Sequence, residues 1–257
     1  MQKSLAYGEH RFTANNLIVC IVVLCLGWSL KLNGQEKELS KYAWFDSMTG
    51  QSNSGIFKGV VYDEEFRVIT DRHQFFEKAA YVSGSVVFDK QSYFDLQLRY
   101  DVFNDNLLVL NAEVVGLPAI ILEKEHTEVF QLGNHRFKNI DLLYPERGKL
   151  SGFAEVLVST DSLSLYKKHH KRLLKRTDQK TLYSEFKSTA SYYFEHDNNL
   201  YRIKKATDLA TVFPEQRKTI KELHDTHASL KKTDFDTYLK SVVQDLSEIL
   251  NQNRPGK

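Results

Sequence analysis

The stretch Gln97-Leu98-Arg99-Tyr100-Asp101-Val102-Phe103-Asn104-Asp105-Asn106-Leu107-Leu108-Val109-Leu110 places a knot of Asp and Asn between two apolar runs. Such a knot is either a ligand loop or a turn between two strands. Tyr100 and Val102 and, beyond the knot, Leu108 and Leu110 recur at a spacing of two, the period of a half-buried strand. Asn104-Asp105-Asn106 supplies side chains that tolerate a left-handed backbone and bond nearby amides. A calcium loop needs more oxygen ligands at fixed spacings and usually a glycine to bend it, and neither is present. The segment therefore reads as a β-hairpin.

Four more segments repeat the pattern of β-formers around a polar turn: Val60–Ile69, Val86–Phe94, Val129–Phe137 and Tyr193–Ile203. Each is expected to be a hairpin of an antiparallel meander. Gly116-Leu117-Pro118 breaks the chain before a strand at Ala119–Leu122, and Tyr144-Pro145-Glu146-Arg147-Gly148 reads as a loop. Phe153–Val158 alternates, Ser159–Ser162 turns, and Leu163–Tyr166 begins a return strand.

From Thr207 the period changes. Thr207-Asp208 suits the start of a short helix through Phe213, and Pro214 suits the first turn of the next, with Ile220 and Leu223 spaced by three. Thr233-Asp234-Phe235-Asp236 resembles a capping box ahead of an amphipathic helix. Its apolar residues Phe235, Tyr238, Leu239, Val242, Val243, Leu246, Ile249 and Leu250 form one stripe that must be buried. The expected fold is α+β: an antiparallel β-meander sheet or partly closed barrel within residues 35–205, and C-terminal helices over 206–257 packed on it.

Ahead of this body, Lys3 and Arg11 precede the apolar run Leu17–Leu30, which ends at the polar segment from Lys31. Fourteen residues are short for a spanning helix, which needs about 20, and fit a secretory signal peptide over residues 1–34, cut near Gly34. The alternative is an uncleaved N-terminal anchor. Cys20 and Cys25 both lie in the apolar run, so an exported mature chain would carry no disulfide, thiolate metal site or cysteine nucleophile. Val19 and Leu24 precede them where lipoprotein processing wants a small residue. No spanning segment is expected in the mature protein, and its location is expected to be the periplasm or the outer envelope.

The chain has 257 residues, 42% of them hydrophobic and 26% charged, with 16 Phe and 13 Tyr, a globular rather than disordered composition. Without residues 1–34 the formal charge is zero, but Glu36–Phe130 carries −7 and Gln131–Lys257 carries +7. The excess positive charge culminates in Lys167-Lys168-His169-His170-Lys171-Arg172-Leu173-Leu174-Lys175-Arg176. As a strand, this run is an edge or a protruding hairpin, protected by its charge from pairing with other chains. Lys167, Lys168, Lys171, Arg172, Lys175 and Arg176 are the candidate contacts to an anionic surface. Nucleic acid is not the expected partner of an exported, net-neutral chain.

His169 and His170, adjacent in a strand, face opposite ways and cannot share an ion; His224 and His227 can share a helix face but lack further ligands at telling spacings. No metal and no cofactor is expected. A nucleophile elbow, a phosphate-cradling glycine loop, a zinc-protease helix and a dinucleotide fingerprint are all missing from the sequence.

Gly59–Tyr62, Phe75-Phe76, Gly84–Phe88, Leu98–Asp105, Tyr192–Phe194 and Phe213–Glu215 together make most of the chain after residue 34 similar to a group of uncharacterised exported proteins from Gram-negative bacteria. The resemblance implies export and a β-rich body with a helical tail. It implies no activity and carries over no functional residue. The expected function is non-enzymatic binding or scaffolding in the cell envelope. The alternative is a hydrolase of envelope polymers whose carboxylates only the fold assembles.

Overall fold

The computed structural model describes residues 55–57, 59–112, 116–144, 150–160, 162–178 and 181–252. The expected signal peptide with its two cysteines and residues 145–148 of the expected loop lie outside the described residues. Eleven strands form one antiparallel sheet: β1 Val60–Val61, β2 Val82–Phe88, β3 Gln91–Asp101, β4 Asn106–Leu110, β5 Ile120–Ile121, β6 Thr127–Leu132, β7 His135–Asn139, β8 Phe153–Ser159, β9 Leu163–Asp178, β10 Thr181–His196 and β11 Asn199–Ile203. Their order is β1-β5-β4-β3-β2-β6-β7-β8-β9-β10-β11, so the sheet is open, with β1 and β11 at its ends, rather than a closed barrel.

Backbone chemistry explains the hairpins. Asp89-Lys90 and Asp197-Asn198 have positive φ at both central positions, as two-residue turns matching the strand twist require. In the β6–β7 turn only Gly133, the first central position, has positive φ, the place where such turns take glycine. In the β3–β4 turn Asp105 takes the expected left-handed backbone at φ +57°, but the side-chain turn is made by Asp101, whose Oδ1 accepts from the amides of Phe103 and Asn104, rather than by Asn104–Asn106.

The segment Val60–Ile69 is the exception: only Val60-Val61 is strand, and no hairpin forms. Asp63-Glu64-Glu65 offers no Gly or Asn to reverse the chain, and the backbone finds partners elsewhere. The amide of Tyr62 donates to Ala119, the carbonyls of Arg67 and Arg72 accept from Ser184 and Phe186 of β10, and Gln74 and Phe76 pair with Val102 and Tyr100. Residues 62–76 are therefore a strap that runs along β10 and on to β3, with Phe66 wedged edge-on against Phe103 and Phe186.

Directly paired residues share a sheet face. One cross-strand row runs Val86, Phe130, Phe137, Glu155, Lys167, Tyr192, Ile203. It starts in an aromatic core, where Phe130 and Phe137 stack at 4.7 Å beside Tyr100 and Phe153. It ends in a second core, to which the C-terminal helical segment contributes Ile220, Tyr238 and Leu239 among others. The helices are α1 Ile140–Leu143, α2 Arg217–Thr226, α3 Leu230–Thr233 and α4 Phe235–Gln252.

Tyr238, Leu239, Val242, Val243 and Leu246 of α4 are fully buried, as the stripe predicts. The cap differs: Thr237 donates through its amide and hydroxyl to Asp234, while Asp236 turns to the sheet, where it accepts from Lys167 and Tyr192. The expected short helix from Thr207 is a 3-10 turn, Ala206–Thr211, whose Asp208 reaches back to the amides of Lys204 and Lys205. At Gly84 in β2 a Cβ would lie against the Gln131 carbonyl of β6. Gly84→Val is expected to lower stability by about 1–3 kcal/mol; an unchanged urea midpoint would mean that these strands have room to part.

Candidate functional site

Three polar assemblies stand out, and the cross-strand row carries the first. Glu155, 5% exposed between the two cores, is held by two imidazoles: His135 Nδ1 lies 2.6 Å from Oε1 and His169 Nε2 lies 2.7 Å from Oε2. Burial pushes its carboxyl up, but the hydrogen bonds to the two imidazoles outweigh it and pull the carboxyl down to about 2. Phe76 packs edge-on against both histidine rings at 5.0 Å, and Glu77, the residue after the strap, reaches His135 Nε2 at 3.2 Å. A cleft of about 360 Å3 opens beside them, lined by Phe76, Glu77, Leu98, Arg99, Leu132 and His135 among others. Every ring nitrogen of His135 and every carboxylate oxygen of Glu155 has a partner within the protein.

The second assembly centres on Asp105, inside the hairpin where the sequence predicts only a turn. The buried Tyr100 hydroxyl donates to Oδ1 at 2.6 Å, Lys168 Nζ donates to the same oxygen at 2.9 Å, and Lys124 Nζ donates to Oδ2 at 2.8 Å. Lys168 also donates to the Phe153 carbonyl. Burial pushes the Lys168 ammonium below the usual lysine range, and Asp105 opposes the shift. Gly152, at φ +67°, lies so close that a Cβ would collide with the Asp105 carboxylate.

The third assembly is the basic ribbon. β8 pairs with β9 only as far as Lys167, beyond which β9 and β10 run on as a two-stranded ribbon. Beyond Lys167 the basic run is thus one strand of a hairpin extension that the strap flanks on its β10 side, and alternation divides its charges. Lys167 is tied to Asp236 of α4, and Lys168 to Asp105, so two of the six candidates are engaged inside the fold. Lys171 and Lys175 lie on one face, and Arg172 and Arg176 on the other, where Arg172 is directly opposite Lys187 of β10. The strap adds Arg72, giving a groove of about 570 Å3 lined by Arg72, Arg172, Leu174, Arg176, Phe186, Lys187 and Ser188. Glu185, 7% exposed, is the acid nearest at hand, and both its contacts are to arginines: Arg72 at 3.3 Å and Arg176 at 3.4 Å.

Arg72 and Lys187 escape a reading of the basic run alone. The second can be found by pairing the run with the following strand, whereas the first depends on the path of the strap. His169 and His170 point apart as expected. His224 and His227 do not share a ligand, their contacts being Asp225 and Asp245. Among the described residues no three His, Cys, Asp or Glu side chains converge on a metal position, and no helix is long and apolar enough to cross a membrane. Comparison with protein-family models, with curated proteins and with solved structures finds no match to this chain.

Proposed function

We propose that the protein is an exported, non-enzymatic component of the bacterial cell envelope that docks on an anionic envelope surface through its β9–β10 ribbon. The observation that carries this reading is the convergence of Arg72, Arg172, Arg176 and Lys187 on one groove with Glu185 as its sole acid among the described lining and ion-pair contacts. The apolar run at Leu17–Leu30 and the resemblance to exported Gram-negative proteins support export.

Docking is favoured over hydrolysis by the state of the central acids. A hydrolase needs a base or acid free to meet substrate within hydrogen-bond reach. Glu155 and His135 are engaged with each other, with His169 and with Glu77. Each basic side chain near an anionic membrane contributes about 1 kcal/mol, a contribution that salt screens. Alanine at all four groove positions is therefore expected to weaken binding of the full chain to phosphatidylglycerol-containing vesicles by a hundredfold or more, on the order of 3–4 kcal/mol. Co-sedimentation at low and high salt measures it. Undiminished binding by the quadruple variant would remove the ribbon from the proposal.

A further inference from the structure

The groove has a more specific feature than net charge. Arg172 and Lys187 are direct cross-strand partners on one face, the arrangement in which like charges destabilise a sheet. The ion pairs nearest to them do not relieve it, since Glu185 contacts Arg72 and Arg176. Both side chains are exposed, and Leu174, two residues along β9 from Arg172, shares their face and gives the groove an apolar side. Among the described residues no ion pair is made by either side chain, and two such cations at one register position match the charge of a dianion, about −1.5 to −2 for a phosphate monoester near pH 7. The planar fork of Arg172 can grip two phosphate oxygens at once, while Lys187 supplies a point charge. Arg72 and Arg176, already turned toward the groove by Glu185, are positioned to hold the remaining oxygens or an adjoining ester.

We infer that this groove is a discrete binding site for the phosphomonoester headgroup of an envelope lipid, with Arg172 and Lys187 as its primary ligands. The inference rests on the docking reading and sharpens it: diffuse attraction needs only positive charge, whereas a phosphomonoester site needs the fork and the pair. It also accounts for the arrangement of the ribbon. A purely solubilising edge has no need to set two cations opposite each other, and placing one acid there would remove the repulsion.

The test compares two vesicle preparations of equal zeta potential, one carrying phosphatidic acid, a monoester, and one carrying phosphatidylglycerol, a diester. The wild-type full chain is expected to bind the phosphatidic acid vesicles about tenfold more tightly. Arg172→Lys, which keeps the charge and loses the fork, is expected to abolish that preference by bringing phosphatidic acid binding down to the level of phosphatidylglycerol binding. Lys187→Gln is expected to erase the preference and weaken both interactions. Competition by millimolar inorganic phosphate against phosphatidic acid, but not by sulfate at matched ionic strength, would identify the phosphate group itself as the element recognised.

Equal binding to both vesicles, or a preference retained by Arg172→Lys, would overturn the discrete site and leave docking standing. Phosphate protection of the groove lysine Lys187 from amine acylation, without vesicle binding, would overturn the lipid source and the docking reading together while retaining a phosphate site. No vesicle binding and no phosphate protection would overturn both readings.

Discussion

Replacing Asp105 by Ala is expected to lower the free energy of unfolding by about 3–5 kcal/mol, the scale for breaking a buried charge pair by removing one partner. The side chain of Lys168 is 12% exposed, and without Asp105 it keeps only the Phe153 carbonyl. The Tyr100 hydroxyl, in a residue 1% exposed, loses its acceptor at the same time. The pH dependence separates charge from packing. Burial already holds the Lys168 ammonium low, and Asp105 pushes it back up, so the variant lowers it further. Between that lowered value and the unfolded value of about 10.4, the unfolded chain binds more protons, so stability rises with pH. The deficit should accordingly shrink in urea melts at about pH 9.5 relative to about pH 7. The double variant Asp105→Asn with Lys168→Met should recover more than half of it, because both charges are then gone. A small deficit independent of pH would show that Lys168 reaches solvent without its partner.

The hairpin containing Asp105 shows where a sequence stops being informative. Its turn chemistry is local, and the expected strand, turn and strand are all present, as they are at Asp89-Lys90, Gly133-Asn134 and Asp197-Asn198. The helix stripe from Phe235 was legible for the same reason: a period of three and four needs no knowledge of what covers it. The strap was not legible, because Asp63-Glu64-Glu65 resembles turn chemistry, while the carbonyl partners that hold the segment extended lie more than a hundred residues away in β10. The candidate site divides along the same line. A run of Lys and Arg announces a charged surface, but only register distinguishes Lys167 and Lys168, neutralised by Asp236 and Asp105, from Arg172, set opposite Lys187. The meeting of His135, Glu155 and His169 carries no signal in sequence, since the three sit on three successive strands and come together only through the β7–β8–β9 ladder.

Glu155→Gln is expected to show the energetic consequence of that ladder through acid. The folded carboxyl lies at about 2, below an unfolded value near 4.5, so ionisation favours the folded state. A depressed carboxyl contributes stability that is complete above the unfolded value and is lost as pH falls through the folded one. At 1.36 kcal/mol per pKa unit the contribution is about 3 kcal/mol near pH 6, with roughly half remaining at about pH 3. Glutamine preserves the volume and one acceptor but cannot ionise, so the variant should be less stable by about that amount near pH 6 and approach the wild type toward about pH 2. Phe76 packs on both imidazoles and Glu77 bonds one of them, so the strap that also carries Arg72 should loosen with the loss. Hydrogen exchange at the Phe76 amide, which donates to the Tyr100 carbonyl, reads that loosening directly. If the stability difference between the variant and the wild type is the same at about pH 6 and about pH 3, Glu155 is held by packing alone, and its two imidazoles contribute no charge coupling.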